Sequence, residues 1–281
     1  MSTDAPAPAE PSTFRKALRQ KRFSVGLAIT LLLVAFVIVA PYVAPFGENE
    51  VAGPPFSKDG TLGTDYLGQD VLSRVMYGGR EILVIALFGT LLGMVLGIAI
   101  GIVAAYAGGW WDEVIMRLND VVLSFPQILL ALVVLTAIEQ PSALILIVLV
   151  GVSHAPRVAR LARGVALGLV SRDFVIAAEA LGEKRSRVIL AEVLPNMNAP
   201  LLAEGGLRLT YSIGLVGSLG FLGFSTNPGA ANWGQMIQEN RLALATQPWA
   251  VLAPVIIIAI FAIGTNLMAD GIAQVAQRGE N

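Results

Sequence analysis

The sequence predicts an all-α membrane protein with six transmembrane helices. Hydrophobic residues make up 55% of the 281-residue chain and charged residues only 14%, whereas a soluble domain carries roughly a quarter charged residues. Apolar stretches of about 20 residues, the length of helix that crosses a hydrocarbon core of ~30 Å, recur along the chain. The period-2 alternation of a membrane β-barrel is missing. Because backbone polar groups in lipid must be satisfied within the segment, helical spans are expected.

The predicted spans begin after a Pro-, Ala- and Ser-rich stretch and a basic run that starts at Arg15. A secretory signal would also be basic and then apolar, but no small-residue cleavage site follows here. The first apolar stretch is therefore interpreted as an uncleaved membrane helix. The fourth is the weakest span because three arginines enter its end. The six stretches cover residues 24–46, 82–107, 114–138, 143–163, 201–224 and 249–269.

The distribution of lysine and arginine predicts that both termini are cytoplasmic. With the N-terminus inside, fourteen basic residues lie in inner segments and four in outer loops, and an excess of positive charge marks the cytoplasmic side. The inner residues are Arg15, Lys16, Arg19, Lys21, Arg22, Arg117, Arg157, Arg160, Arg163, Arg172, Lys184, Arg185, Arg187 and Arg278, and the outer ones are Lys58, Arg74, Arg80 and Arg241.

This topology divides the chain into five parts. A partly disordered cytoplasmic tail (1–23) leads into the first transmembrane helix (24–46) and an extracytoplasmic loop (47–81). A five-helix core (82–272) follows, with a cytoplasmic loop at 164–200, and the chain ends in a second cytoplasmic tail (273–281).

Glycines recur at helical spacing in two of the predicted spans. The series are Gly89, Gly93, Gly97 and Gly101 in the second span, and Gly214, Gly217, Gly220 and Gly223 in the fifth. A strip of small residues lets a neighbouring backbone approach closely. We therefore interpret these glycines as helix-packing faces; the alternative is that they line a wide path for a substrate, with Gly214 and Gly217 as candidates.

Ionisable residues at membrane depth are costly and often functional. Glu204 and Arg208 are four residues apart and are expected to pair along one helix face; they are also candidates for a translocation path. Asp120 and Asp270 lie near the inner ends of their spans, where they can reach water. A structural or interfacial role is favoured for all four. Pro126 should kink or break the third span, so that a neighbour or water must satisfy the freed backbone groups.

The sequence predicts no enzyme active site and no metal site. None of the four lysines follows a glycine, so the chain has no P-loop to hold ATP phosphates. His154 is the single histidine, which rules out paired histidine ligands. Ser153 beside it would diverge by about 100° on a helix, so the two cannot form a nucleophile–base pair. His154 is interpreted as a polar residue near a membrane boundary. Without cysteine there is no disulfide or thiolate chemistry.

The segment of about 37 residues between the fourth and fifth spans predicts a helix–turn–helix outside the membrane. The residues that recur at i, i+3, i+4 and i+7 are Phe174, Ala177, Ala178 and Leu181. Gly182 suits the turn after this helix, and a second helical piece, about 183–193, should stop at Leu194-Pro195. Connections of this length usually carry function, so we interpret the unit as a docking site for a soluble partner; a plain helical connector is the alternative.

This segment resembles the cytoplasmic EAA loop of the membrane subunits of bacterial ABC importers. The family pattern is Glu-Ala-Ala, three residues, Gly, and then Leu-Pro twelve and thirteen residues later. The matching positions here are Ile176, Ala177, Ala178, Gly182, Leu194 and Pro195. Ile176 replaces the family glutamate, and Glu179 one turn later is a candidate substitute.

Four further stretches are similar to the C-type permease of dipeptide, oligopeptide and nickel importers. LGTDYLGQDVLSRVMYGGR (62–80) resembles the signature that precedes the second span of that subunit, with Gln69 in place of the usual arginine. The other matching stretches are RLNDVVLSFPQILLAL (117–132), SLGFLGFSTNPGAANWGQMI (218–237) and PWAVLAPVIIIAIFAIGTNLMADG (248–271). Together they cover the chain from about 60 to 272 in the right order.

The resemblance implies a type I ABC importer transmembrane-domain fold with a cytoplasmic EAA coupling helix, in the bacterial cytoplasmic membrane. The chain would pair with a homologous B-type permease to enclose a path for dipeptides or oligopeptides. Two ATP-binding subunits, which carry ATP and Mg, would grip the coupling helices, so no cofactor is expected in this chain. The implied coupling residues are Phe174, Ile176, Ala177, Ala178, Glu179, Leu181, Gly182, Leu194 and Pro195.

An extracytoplasmic substrate-binding protein would deliver the substrate to the outer segments 47–81 and 225–248. Trp233, Gly234 and Gln235 are candidate contacts with it, and packing within the loop is an equal alternative. Nickel or another small solute remains open as the substrate. An ion-coupled secondary transporter is the alternative from another class, but it would need mid-membrane carboxylates in two related halves, and no such repeat is found. An intramembrane hydrolase is disfavoured by the isolation of His154.

Overall fold

Helices make up nearly all the regular structure of the computed structural model, which describes residues 17–138, 141–227 and 229–278. Most of the predicted N-terminal tail (1–16) lies outside these residues, as do the last three. The described part forms no β-strand, only two isolated bridges in a loop. The longer helices are α1 (Lys21–Ile38), α4 (Arg80–Ala107), α5 (Gly109–Ser124), α6 (Gln127–Thr136), α7 (Ala143–Val170), α11 (Asn198–Phe221) and α13 (Trp249–Arg278). The shorter ones are α2 (Ala40–Val43), α3 (Val71–Tyr77), α8 (Asp173–Ala180), α9 (Arg185–Val188), α10 (Leu194–Asn196) and α12 (Trp233–Asn240).

The centre of the fold is the close, parallel packing of α4 against α7. A Cβ added at Gly89 would lie 2.6 Å from the Val150 side chain, and one at Gly97 would lie 2.5 Å from Val158. The contacts advance in the same direction along both helices, which makes the pair parallel. The facing strip of α7 is also built largely of small residues, namely Gly151, Ala155, Ala159 and Ala162. The predicted packing role of the second-span glycines is confirmed.

The remaining long helices pack antiparallel to this pair or to each other. Thr90 of α4 bonds Ser212 of α11 at 2.8 Å, and Met94, one turn further along α4, lies beside Gly205, two turns back along α11. At the periphery α1 packs against α13, where a Cβ at Gly26 would lie 2.5 Å from the Gly264 carbonyl oxygen. The packing of α1 against α13 brings the beginning and the end of the described chain together.

The third predicted span is broken at Pro126, as the sequence indicates. Helices α5 and α6 meet there at a bend of 78°, and Phe125 between them has an extended backbone. Proline lacks the N–H that would continue the helix, and the residue before it disfavours the helical region. Neighbouring polar side chains reach this region: Asn119 donates to the Pro156 carbonyl at 2.8 Å, and Gln127 donates to Ser153 at 2.7 Å.

Helix α7 continues to Val170 rather than ending near 163 as predicted. The arginines that suggested an end are paired, since Arg163 meets Asp112 at 2.5 Å and Arg160 meets Asp120 at 2.6 Å. Ala162 and Ala166 remain buried beyond that point. The helix therefore carries its packing face past the predicted boundary. The last helix likewise continues to Arg278, into the segment predicted as a tail.

In the described ranges, four helices are long and apolar enough to span a membrane, or five if the bent α5–α6 pair is one span. The predicted fifth span is a helix of 24 residues, α11. It is less apolar than the others because it carries Glu204 and Arg208 and several glycines and hydroxyl residues.

Loop segments at one end of the helices join into a single hydrogen-bonded layer. Glu81, in the first turn of α4, accepts from Asn232 Nδ2 and the Thr226 N–H, each at 2.8 Å. Asp65 and Arg74 are both buried and pair at 2.5 Å. Burial and the neighbouring Glu239 carboxylate raise the pKa of the Tyr66 phenol within the same layer.

We expect Gly97→Ala to destabilise the protein, because its Cβ would meet Val158 Cβ at 2.5 Å and the Ala155 carbonyl oxygen at 2.6 Å. Overpacking of this kind costs about 1–3 kcal/mol. Gly164→Ala is the matched control, since no atom lies within 4 Å of its added Cβ. In thermal unfolding of the purified protein, Gly97→Ala should lower Tm and Gly164→Ala should leave it unchanged or raise it. Equal Tm values for the two variants would contradict the α4–α7 packing.

Candidate functional site

The predicted docking unit forms a compact helical elbow beyond the end of α7. After a turn at Ser171 and Arg172, helix α8 runs from Asp173 to Ala180. Its end is a Schellman motif: the Glu183 N–H donates to the Ala178 carbonyl at 3.2 Å, and the Gly182 N–H donates to Glu179 at 3.0 Å. Gly182 has φ +83°, a conformation that glycine adopts without the steric cost of a Cβ. The predicted turn at Gly182 is confirmed.

Helix α8 is anchored by one side and exposes the other. Val175 is completely buried, in a cluster with residues from the adjacent ends of the core helices. The members of this cluster are Ile102, Ala105, Ala162, Ala166, Val175, Val188, Val193, Met197 and Leu201. The elbow is therefore attached through apolar contacts to α4, α7 and α11.

The exposed surface of the elbow carries several large apolar side chains. Leu181 is 85% exposed, Ile176 55% and Phe174 40%, and Ala177 and Glu179 are exposed beside them. Large apolar side chains grouped on an exposed surface mark a contact site for another protein or a membrane. Ile176, at the position of the family glutamate, is exposed as well, but at about 100° per residue it lies about 160° around α8 from Phe174. We call these five exposed residues, which are distributed around α8, the elbow face.

The second helical piece does not stop at Pro195, contrary to the prediction. Helix α9 continues through a π-helical segment, Ile189–Val193, into α10, which ends at Asn196. Leu194 N–H bonds to the Ile189 carbonyl, five residues back. This wider turn comes immediately before the proline and displaces the carbonyls with which its ring would clash in a regular α-helix. Leu194 is half-buried, and Pro195 is exposed beside it.

The predicted pair of Glu204 and Arg208 forms on α11. Arg208 Nε lies 2.8 Å from a Glu204 carboxylate oxygen, and both side chains are largely buried. The angle is that of an ion pair rather than an aligned hydrogen bond, since Nε has no hydrogen-bond partner. The Arg208 guanidinium also lies 4.9 Å from the Tyr211 ring centre, a cation–π distance. The two charges neutralise each other along one face of the helix.

The four glycines of the predicted fifth-span series separate into two open and two structural positions. A Cβ at Gly214 would meet no atom within 4 Å, and the nearest to Gly217 would be Ile258 at 3.6 Å. Gly214 and Gly217 line an apolar groove with Ile128, Ser218, Phe221, Leu222, Ile237 and Ile258. Gly220 packs against Asn232, and Gly223 follows the end of the helix with φ +91°. Of the four glycines, only Gly214 and Gly217 remain candidates for lining a substrate path.

Trp233 and Gly234 lie inside the loop layer, which contradicts their candidacy as binding-protein contacts in this conformation. Trp233 is completely buried, and its indole N–H donates to the Val75 carbonyl at 2.7 Å. A Cβ at Gly234 would meet the Phe221 backbone nitrogen at 2.7 Å. Trp233 and Gly234 are buried because α12, which begins with them, starts directly against the end of α11. Gln235 is half-buried and donates to Glu239 at 2.7 Å, so its contact role stays a prediction.

His154 is completely buried in the helix bundle, eleven residues into α7; its place relative to a membrane boundary stays a prediction. Its Nε2 lies 2.9 Å from Ser212 Oγ and its Nδ1 lies 3.3 Å from Gln127 Nε2. Sequence reasoning missed this arrangement because its polar members lie on separate helices. The one signal was the recurrence of single polar residues at similar depth in several apolar spans. No group of three or more metal-ligating side chains occurs among the residues for which coordinates are described.

Comparisons with known proteins match nearly the whole chain. A family model described as binding-protein-dependent transport system inner membrane component matches residues 97–279. A second model, the N-terminal TM domain of oligopeptide transport permease C, matches residues 12–57.

Several curated relatives are similar over most of their length. A dipeptide transport system permease protein of Alkalihalophilus pseudofirmus is 32% identical, over 92% of this chain and 86% of its own. A di/tripeptide transport system permease protein of Pseudomonas aeruginosa is 33% identical, over 88% of this chain and 84% of its own. A glutathione transport system permease protein of Pectobacterium atrosepticum is 31% identical, over 92% and 87%.

A solved structure shares the fold. The MetNI methionine ABC transporter in an inward-facing conformation matches with a TM-score of 0.56 and 16% identity, over 72% of this chain and 95% of that one. At this identity the likeness shows the fold alone. The family models and the curated relatives together show that the chain belongs to the family of binding-protein-dependent transport system inner membrane components, as a C-type permease of ABC importers.

Proposed function

We propose that the chain is the membrane-spanning permease subunit of an ATP-driven peptide importer, and that the elbow face couples it to ATPase subunits. The observation that carries this proposal is the elbow face with its exposed apolar side chains, held by Val175 against the inner ends of α4 and α7. A partner that moves α8 would move these helices with it, because the elbow shares its apolar cluster with them.

Helix directions support six membrane crossings. Since α4 and α7 are parallel, the chain between them must cross back once, and the bent pair α5–α6 is the segment available. Helix α11 runs antiparallel to α4 and α13, which gives one further crossing despite its lower hydropathy. With α1, six crossings result, and both termini lie on the same side. The excess of arginine and lysine on that side makes it the cytoplasm.

The proposed division of the chain keeps the outer loop at 47–81 and the core at 82–272. The first crossing, predicted at 24–46, begins in α1 at Lys21, within the predicted tail 1–23, and α13 extends to Arg278, within the predicted tail 273–281. Within the core, the coupling loop of 164–200 begins in the last turns of α7. The loop layer that joins the outer segments would face the extracytoplasmic binding protein, with Gln235 as a candidate contact.

The partners would be a homologous B-type permease, two ATP-binding subunits and a substrate-binding protein. ATP and Mg would be held by the ATP-binding subunits, since the sequence of this chain offers no P-loop. The open side of α11 at Gly214 and Gly217 would form half of the translocation path, and the Glu204–Arg208 pair would lie at its inner part. The names of the relatives favour peptides over nickel as the substrate.

The coupling role predicts that a charge in place of Leu181, the most exposed apolar side chain of the elbow face, will release the ATPase subunits. Leu181→Arg should leave the fold intact, because the side chain is 85% exposed, but should remove apolar contact area. Leu242→Arg is the matched control, since Leu242 is 89% exposed and lies in the loop layer. Complexes would be affinity-purified through this chain from the native membrane, and the ATPase subunits quantified.

We expect a loss of at least tenfold in captured ATPase for Leu181→Arg, wild-type capture for Leu242→Arg, and wild-type or better capture for Ile176→Glu, which restores the family residue. Gly182→Arg should lose capture as well, because the φ of +83° disfavours a side chain. Full capture with both Leu181→Arg and Gly182→Arg would remove the coupling role from the elbow.

The proposed substrate class is tested by uptake into vesicles that contain the whole complex and its binding protein. ATP-dependent accumulation of a labelled dipeptide, unaffected by excess nickel ions, is the expected result. Accumulation of nickel without any uptake of di- or oligopeptides would assign the alternative substrate. Uptake that continues without ATP and follows an ion gradient would instead support a secondary transporter.

A further inference from the structure

A chain of hydrogen bonds joins four helices in the interior of the helix bundle. Gln127 of α6 donates through Nε2 to Ser153 Oγ at 2.7 Å and lies 3.3 Å from His154 Nδ1. His154 Nε2 lies 2.9 Å from Ser212 of α11, which lies 2.8 Å from Thr90 of α4. His154 is eleven residues into α7, about 16 Å from its start at 1.5 Å per residue.

The donors along this chain fix the tautomer of His154. Ser153 uses its own hydroxyl hydrogen on the Val150 carbonyl at 2.8 Å, so it can only accept from the Gln127 amide. The second hydrogen of that amide points to His154 Nδ1, which must therefore accept. A neutral imidazole with an accepting Nδ1 carries its hydrogen on Nε2, so His154 donates to Ser212. Ser212 accepts this hydrogen, and either hydroxyl can be the donor in the bond between Ser212 and Thr90.

The first donor in this chain stands at the break of the third span. Gln127 is the first residue of α6, immediately after Pro126 and the 78° bend. Proline removes the backbone bond that would hold α6 in line with α5, so the angle between the two helices must be held by other contacts. Gln127 supplies two of them to α7. A polar group in a lipid-embedded bundle is costly unless it is hydrogen-bonded. This cost favours the one angle between α5 and α6 at which every hydrogen bond of the series forms.

We propose that His154 is a positioning residue that fixes the bend of the third span through the accepting Nδ1 that it presents to Gln127. The neutral imidazole holds the Gln127 side chain in one orientation, and Gln127 holds the beginning of α6 against α7. Ser212 and Thr90 act through His154 by holding its ring in the tautomer that leaves Nδ1 free to accept. The inference concerns the shape of this chain and does not depend on the substrate or the coupling role proposed above.

Two amide substitutions distinguish the roles of the two imidazole nitrogens. Asparagine at 154 places its Oδ1 near the position of Nδ1 and keeps the acceptor for Gln127, whereas glutamine places its polar end near Nε2 and keeps only the contact with Ser212. The two variants are similar in polarity and both are buried. If His154 were only a buried polar residue without a directed bond to Gln127, the two variants would change the bend to the same extent.

The bend is measured in the assembled transporter by the distance between spin labels on cysteines introduced at Val121 of α5 and Val133 of α6, both exposed. The chain has no cysteine of its own, so the labels in it are confined to these positions. The variants compared are His154→Asn, His154→Gln and Gln127→Met, which removes the donors but keeps the volume. Gln238→Met, the same change at a half-buried position of α12, is the control.

We expect wild-type distance distributions for His154→Asn and for the control, and a shifted and broadened distribution for His154→Gln and Gln127→Met. A wild-type distribution for Gln127→Met would overturn the proposal, and so would identical behaviour of the two His154 variants. If the His154 variants do not assemble, Gln127→Met decides alone, because Gln127 is only half-buried and its replacement fills the same space.

Discussion

The close approach of α4 and α7 is the contact on which the rest of the structure depends. Lipid gives no hydrophobic driving force between helices, so association requires backbones that can come near enough for dense packing. The glycine strip of α4 and the Gly–Ala strip of α7 provide this over more than three turns. Because the two helices are parallel, the chain must return between them, which determines the place of the broken span. The elbow then attaches to the C-terminal ends of both helices.

The few charges of this apolar chain are placed so that most have partners. Arg163 and Asp112 hold α7 to α5, Glu204 and Arg208 pair along α11, and Arg74 and Asp65 pair inside the loop layer. Removing one partner of a buried pair costs about 3–5 kcal/mol, while the pair itself contributes little net stability. These pairs therefore specify which helices and loops meet, and the packed small residues supply the stability.

Patterns that act within one element could be predicted from the sequence. The break at Pro126, the glycine strip and the turn at Gly182 each depend on a few neighbouring residues, and the structure has these three features. Of the six predicted apolar spans, the described residues contain four that are long and apolar enough, or five if the bent pair is one span. Features that depend on other elements could not be predicted. Helix α7 continues beyond its arginines because partners on α5 neutralise them. Pro195 is accommodated by the π-helical segment before it. Trp233 is buried because α12 starts at the end of α11. His154 is bonded by residues from two other helices that no sequence spacing connects.

The central claim is that the elbow face touches an ATPase subunit in the working transporter. A single cysteine at Leu181, in a chain with no other, can be treated in native membranes with a short bifunctional maleimide, and the crosslinked product identified by mass. The account predicts a product with an ATP-binding subunit whose yield changes when ATP is added. A cysteine at Leu181 that reacts freely with a soluble maleimide, yet never crosslinks to such a subunit with or without ATP, would contradict it.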